Sequence, residues 1–232
     1  MKSFLSLLAA ALSLAAAAQA QTFTIGPRIS NYSTDLDFPG ESLKTGRQVA
    51  FGLAGDYRSG AFVLDFNWDH DQENGMHLTD LIVDTSDYAR NRGEVTVGYA
   101  AAPFLDLQGG VRLDSIRIGG ASIFGSSVLT DLDIDHQALT AGLRLHSGDN
   151  DPAGFYILGR GYIGSAKLNF SAAPTVDTDT SGYRGEAGIP IRLGESNWRV
   201  VPGAEYEHIE MKDYPLRINT NRLFLNFIYR SR

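Results

Sequence analysis

Apolar and polar residues alternate along most of this chain. In the stretch Gly93 to Asp114, Val95, Val97 and Tyr99 alternate with Glu94, Thr96 and Gly98. After a tight turn containing Ala101, Ala102 and Pro103, Leu105, Leu107, Gly109, Val111 and Leu113 alternate with Asp106, Gln108, Gly110, Arg112 and Asp114. Side chains of a strand point to opposite faces with period two, so this stretch predicts a hairpin with one apolar wall and one charged wall.

The same period recurs elsewhere. Phe62, Leu64, Phe66 and Trp68 oppose Val63, Asp65, Asn67 and Asp69, and Leu223, Leu225, Phe227 and Tyr229 oppose Arg222, Asn226 and Arg230. Ten strands are predicted, at about residues 22–32, 47–58, 61–71, 93–101, 105–118, 135–145, 155–168, 183–193, 198–209 and 221–230. Most are about ten residues or longer, where soluble strands run to five or six and a tilted membrane strand needs about nine to eleven. Short turns at Arg58 to Gly60, Ala101 to Pro103 and Gly194 to Asn197, with a longer one at His146 to Gly154, alternate with longer connections. Those longer connections are 33–46, 72–92, 119–134, 169–182 and 210–220. That asymmetry, with Tyr57, Trp68, Tyr99, Tyr183, Trp198, Tyr206 and Tyr229 near the strand ends, is the habit of an outer-membrane barrel with an aromatic girdle.

The first twenty residues stand apart. Lys2, an apolar run from Phe4 to Ala17 and Ala18-Gln19-Ala20 read as a secretory signal peptide, leaving 232 − 20 = 212 residues from Gln21 to Arg232 for the barrel domain. Losing Lys2 takes the formal net charge from −7 to −8, which argues against a nucleic-acid partner. The chain has no cysteine, and after the signal no apolar run approaches eighteen residues, so a membrane crossing would have to use strands. Arginine outnumbers lysine sixteen to four, which suits a confined interior where a planar guanidinium forks between carboxylates.

The signal peptide, the ten alternating strands and the closing L-F-L-N-F-I-Y resemble a small Gram-negative outer-membrane β-barrel protein. The resemblance implies an all-β, antiparallel up-and-down transmembrane barrel of ten strands (eight as the alternative), with both termini on the periplasmic side. It also implies contact with outer-membrane lipid and lipopolysaccharide, and recognition of the last strand by the barrel-assembly machinery. Leu223, Leu225, Phe227 and Tyr229 match that terminal signal, whereas Arg230-Ser231-Arg232 extend past it.

A ten-stranded barrel is too narrow for a wide aqueous channel, so inward charges must pair. The inward set expected to form a lumenal charge network comprises Arg28, Asp65, Glu94, Arg112, Asp114, Arg144, Arg160, Arg184, Glu186, Glu205, Glu207 and Arg222. By height along the strands, the lumen is expected to be mainly acidic near the loops and basic near the turns. After Asp114 the alternation is expected to slip, with Ile116 and Ile118 inward and Arg117 outward, marking a bulge or the strand's exit from the membrane.

This composition carries no recognised phosphate-loop, zincin or serine-hydrolase motif, and no metal or cofactor is expected. The sharpest catalytic alternative is Trp68-Asp69-His70-Asp71. Its D-x-D spacing resembles that of the omptins, ten-stranded outer-membrane proteases, in which such a pair faces an Asp-x-His pair and holds a water for peptide hydrolysis. Asp69 and Asp71 match; the second pair has no counterpart, since the loop after the seventh strand carries Asp177 and Asp179 without histidine. The expectation is therefore a non-enzymatic barrel, structural or surface-displayed, or a narrow channel with a salt-bridged lumen.

Overall fold

The computed structural model describes residues 21–38, 41–71, 88–122, 129–147, 153–171 and 173–231. The expected signal peptide and the acidic loop residues Asp80, Asp84 and Asp87 lie outside them. The elements are β1 (Gln21–Phe38), β2 (Glu41–Lys44), β3 (Gln48–Ser59), β4 (Phe62–His70), β5 (Tyr88–Ala102), β6 (Leu105–Ser122), β7 (Leu129–His146), β8 (Tyr156–Phe170), β9 (Val176–Gly188), β10 (Ile191–Arg192), β11 (Trp198–Met211) and β12 (Arg217–Ser231). None of the described residues forms a helix able to cross a membrane.

Every pairing is antiparallel. β1 pairs with both β3 and β12, β9 pairs with both β8 and β11, and the intervening strands pair with their sequence neighbours. Ten strands therefore close on themselves and leave no open edge around the ring, which satisfies the backbone without water. The two short elements are appendages. β2 folds back on the loop end of β1, and β10 continues β9 along β11 beyond Pro190, which has no N–H to donate to the ladder. At the turn end Gly60 and Gly194 have φ of 58° and 61°, the left-handed geometry that glycine adopts without a Cβ clash.

The outer wall carries the apolar face. Phe51, Leu107, Leu139, Leu143, Ile157, Ile163 and Leu223 are exposed, flanked by Tyr99, Trp198 and Tyr229 towards the turns and by Tyr183 and Tyr206 towards the loops. This is the belt and girdle of a barrel in lipid. Tyr57 departs from the expected girdle: it is buried, with Leu64, Phe66 and Val95, in a cluster that Phe23, Ile25 and Phe62 complete.

All ten expected barrel strands are present, but their loop-side ends run further than expected. β1 continues to Phe38, β5 begins at Tyr88, β7 at Leu129, β9 at Val176 and β12 at Arg217. In these extensions the wall is inverted. Leu132, Ile134, Leu168, Ile116, Ile118 and Ile218 point inward and are almost wholly buried, joined by Tyr32, Leu36, Tyr88, Ile209 and Met211. The residues between them, such as Asp131, Asp135 and Lys167, face out. The strands have left the apolar belt and continue as a small water-soluble barrel filled by an apolar roof.

Ile116 and Ile118 face inward and Arg117 outward, as expected after Asp114, and of the two expected causes it is the strand's exit from the apolar belt, rather than a bulge, that operates. Ile116 pairs with Ile134 and Ile118 with Leu132 in unbroken register; the irregularity lies beyond them, between Ile118 and Ala121. The facing of successive residues is continuous through Asp114, Ile116 and Ile118, and it is the apolar pattern that changes phase. Only the chemistry assigned to each face changes.

Candidate functional site: an ion-pair belt under an apolar roof

Directly beneath the roof the lumen is filled by charge. Strand register brings Asp69 of β4 opposite Arg92 of β5, which in turn lies opposite Asp114 of β6; on the other side, Glu205 of β11 pairs with Arg222 of β12. At these positions inward residues of neighbouring strands carry opposite signs, whereas Glu186 lies opposite Glu205 and Arg160 opposite Arg184, and long side chains reach across the narrow interior to complete the set.

Asp69 is held by three guanidinium groups. Arg222 and Arg92 donate to its Oδ2 at 2.6 and 2.7 Å, and Arg28 Nε lies 3.5 Å from its Oδ1. Glu205 faces the same three arginines: Arg28 donates at 3.3 Å, Arg92 donates through both Nη atoms, and Arg222 Nε lies at 3.5 Å. Arg90 forks onto Asp114 at 2.9 and 2.7 Å and also donates to Glu207 at 2.7 Å and to Thr220 at 2.9 Å. Arg112 bonds both Asp114 and Glu207. Glu94 lies between Arg160 at 2.9 Å and Arg184 at 2.6 Å. Glu186 accepts from the Tyr156 hydroxyl at 2.6 Å, with Arg28 and Arg184 further off at 3.9 and 3.8 Å.

Each of these six carboxylates therefore meets at least two arginines, and all are buried. Isolated buried charges cost several kcal/mol; shared, hydrogen-bonded ones offset that cost through their mutual attraction. Aromatic faces complete the packing. Arg28 lies 4.0 Å above the Phe224 ring and Arg222 4.8 Å above Tyr32. Gly203 makes room for Phe224: a Cβ there would come within 2.2 Å of the ring.

Towards the turns the packing loosens. Asp65 bonds Arg144 at 3.0 Å and lies 3.7 Å from Arg160, and both Asp65 and Arg144 keep some exposure. Arg58 forks onto Asp106, which also lies 3.4 Å from His146. Between this level and the belt is a cavity of about 110 Å³, and below it a second of about 60 Å³; Thr24, Asp56, Arg144, Tyr156, Pro190 and Ile228 line both.

All twelve residues expected in the lumenal network point inward and enter it. The expected division into an acidic upper and a basic lower lumen is corrected: the upper belt is mixed, because Arg90 and Arg92 enter it from a stretch expected to be loop. Their signal was in the sequence, since Arg90, Arg92 and Glu94 share one strand phase in A-R-N-R-G-E. Tyr88, whose hydroxyl reaches Thr34 at 3.3 Å, was likewise missed because it lies above the expected start of its strand; Tyr32, the last residue of the first expected strand, donates its hydroxyl to Asp71 at 2.8 Å.

The D-x-D pair lies on one face, as its spacing requires. Asp69 is embedded in the belt and Asp71 is buried beneath the roof, accepting from Tyr32. No group of three or more His, Asp or Glu able to hold a metal ion is found among the described residues.

No protein-family model and no curated protein matches the chain. Solved structures do. The outer membrane protease OmpT of Escherichia coli aligns with a TM-score of 0.53 at 9% identity over 91% of this chain and 95% of its own. Neisserial surface protein A aligns at 0.43 with 11% identity, over 91% of this chain and 99% of its own. Ail, the attachment invasion locus protein of Yersinia pestis, aligns at 0.40 with 16% identity, over 89% and 99%. At these identities the likeness is one of fold: the chain is a closed, ten-stranded antiparallel barrel with the architecture of the outer-membrane β-barrels.

Proposed function

We propose that this chain is a bacterial outer-membrane protein whose barrel is sealed, so that it works by what it displays at its loop end rather than by transport or catalysis. The observation that carries this reading is the stacking of two different seals. Among the described residues, the roof around Leu132, Ile134 and Leu168 caps the lumen with buried apolar side chains, and in the belt beneath it Asp69, Glu205 and Glu207 are each paired with arginine. A permeating ion would have to shed its water at the roof and then break several buried pairs. The purified barrel in a planar bilayer is expected to give no unitary conductance steps; regular steps would support the narrow-channel alternative instead.

The protease alternative requires Asp69 and Asp71 to hold a water at an open rim. Against it, Asp69 is engaged by Arg28, Arg92 and Arg222, and Asp71 by the Tyr32 hydroxyl, all of them buried. A carboxylate so strongly paired is a poor general base. Whole cells carrying the wild-type barrel and the Asp69→Asn and Asp71→Asn variants are expected to cleave peptides no faster than cells lacking it. Cleavage that disappears in either variant would establish the protease.

A further inference from the structure

Strand register sets the outward side chains of β4 to β8 in three successive rows. The lowest is apolar: Phe66, Val95, Val111, Leu139 and Ile163 lie opposite one another in turn. The next row towards the loops is Trp68, Gly93, Leu113, Gln137 and Ser165. The third is polar throughout, with His70, Asn91, Ser115, Asp135, Lys167 and, on β9, Asp177. Over these rows the wall passes from apolar to polar, and a groove of about 1000 Å³ runs across the upper two.

On β4 the groove is walled by aromatic rings. His70 lies parallel to Trp68, with ring centroids 5.9 Å apart and 3° between the planes. His70 Nδ1 donates to Asn91 Oδ1, which leaves the Asn91 amino group to donate to a guest and His70 Nε2 to accept from one. Across the groove Ser115, Asp135, Gln137 and Lys167 are exposed and, among the described residues, have no side-chain partner. An aromatic wall facing hydroxyl, amide and carboxylate groups suits a sugar ring: the rings take its C–H face, and the polar groups take its hydroxyls. Lys167 stands between Asp135 and Asp177, so the groove has no positive excess for a phosphate head. A single aromatic wall also falls short of the many-sided cage that a quaternary ammonium needs.

We propose that this face of the wall binds a membrane glycolipid, its neutral sugar head seated between the Trp68–His70 wall and Asp135 and Gln137, and its acyl chains lying along Leu113, Leu139 and Ile163. The apolar row directly below the groove fixes the source. A free sugar makes no use of that row, whereas a lipid in the surrounding leaflet presents its head and chains in this order. The inference goes beyond the sealed-barrel reading and rests on its placement of the apolar belt in lipid.

The chain's two tryptophans supply the test, Trp68 at the groove and Trp198 towards the turns. Trp198→Phe leaves Trp68 as the sole tryptophan, and Trp68→Phe leaves Trp198. Each protein is folded into phosphatidylcholine vesicles and its fluorescence quenched by a minor fraction of brominated-chain lipid, either monoglucosyl diacylglycerol or phosphatidylcholine. Trp68 is expected to be quenched at least threefold more by the glucosyl lipid, and Trp198 equally by both. Adding Asn91→Ala and Gln137→Ala, both at exposed positions, to the Trp68 reporter is expected to bring its ratio to one. If that protein does not fold, Ser115→Leu, which fills the groove, serves in its place with the same loss expected. A ratio near one at Trp68 with the groove intact, or an equal excess for brominated phosphatidylglycerol, would overturn the proposal and leave Trp68 and His70 as girdle aromatics. So would an excess that survives the groove variants. Quenching of Trp198 but not of Trp68 would place a second barrel, not lipid, over the groove. Quenching of neither tryptophan by either lipid would remove the belt from the membrane, and the proposal with it.

Discussion

Arg90 and Asp114 form a two-point fork across β5 and β6, with Nε to Oδ1 at 2.9 Å and Nη2 to Oδ2 at 2.7 Å. The same Nη2 reaches Glu207 on β11 at 2.7 Å, so one guanidinium ties two strands on opposite sides of the lumen to its own. Replacing Arg90 by Leu leaves Asp114 to Arg112 alone and is expected to lower stability by about 2 to 4 kcal/mol, as for other broken buried pairs. Arg90→Leu/Asp114→Leu is expected to cost less than the sum of the two single changes, because the second removes the charge that the first strands. Urea unfolding of the four proteins in detergent, followed by tryptophan fluorescence, measures the cycle. Additive costs would mean that the fork contributes nothing as a pair.

The roof and the belt are expected to seal independently. Leu132 is wholly buried in the roof, and Leu132→Ala is expected to destabilise the barrel by about 2 to 5 kcal/mol through the cavity it leaves. Because the ion pairs below remain, the variant is expected to stay non-conducting in planar bilayers. Conductance steps from Leu132→Ala alone would identify the roof as the sole barrier.

Why the roof beyond Ile116 and Ile118 was not legible in advance has a physical reason. Within the membrane the apolar phase of a strand faces out, and that phase assigned Arg28, Glu94, Arg112 and Glu207 correctly to the lumen. Beyond the membrane boundary water replaces lipid outside, and the same alternation reverses its meaning. Asp131-Leu132-Asp133-Ile134-Asp135 reads as an acidic loop if lipid is assumed outside, and as a strand if water is. Period two fixes which residues share a face, not which solvent that face meets. Arg90 and Arg92 were missed for the related reason that their strand was expected to begin at Gly93. Which arginine meets which carboxylate was beyond the sequence, since Arg28 to Glu205 and Arg92 to Glu205 are contacts across the lumen, set by barrel closure.

Glycines on the two faces are expected to behave oppositely. A Cβ on inward Gly203 would come within 2.2 Å of the Phe224 ring and 2.6 Å of the Ala187 carbonyl oxygen, so Gly203→Ala must push the ring from beneath Arg28. A cost of about 1 to 3 kcal/mol is expected, as for other overpacked interiors. Outward Gly185 has nothing within 4 Å of the same position, and Gly185→Ala is expected to be neutral or to stabilise by up to about 1 kcal/mol through lost unfolded-state freedom. Urea midpoints of both variants decide it; equal losses would show that the Phe224 contact does not constrain the strand.

The placement of the membrane can be read from where the outer wall tolerates charge. Leu143 is exposed in the middle of the apolar belt, paired across the ladder with Leu107 and Gly159, so an arginine there would find neither a partner nor cover. Leu143→Arg is expected to cost about 2 to 4 kcal/mol when the barrel folds into lipid vesicles, the penalty for a guanidinium near the bilayer midplane. Asn169 also faces outward, but on the inverted extension, opposite Asp133 on β7. Asn169→Arg places its charge in water beside a carboxylate and is expected to change stability by no more than about 0.5 kcal/mol. Both substitutions add the same group to the same wall, so propensity and net charge cancel in the comparison and only the surrounding solvent differs. Equal effects at the two positions would mean that the apolar belt is not buried in lipid, and a cost at Asn169 alone would place the membrane at the wrong end of the barrel.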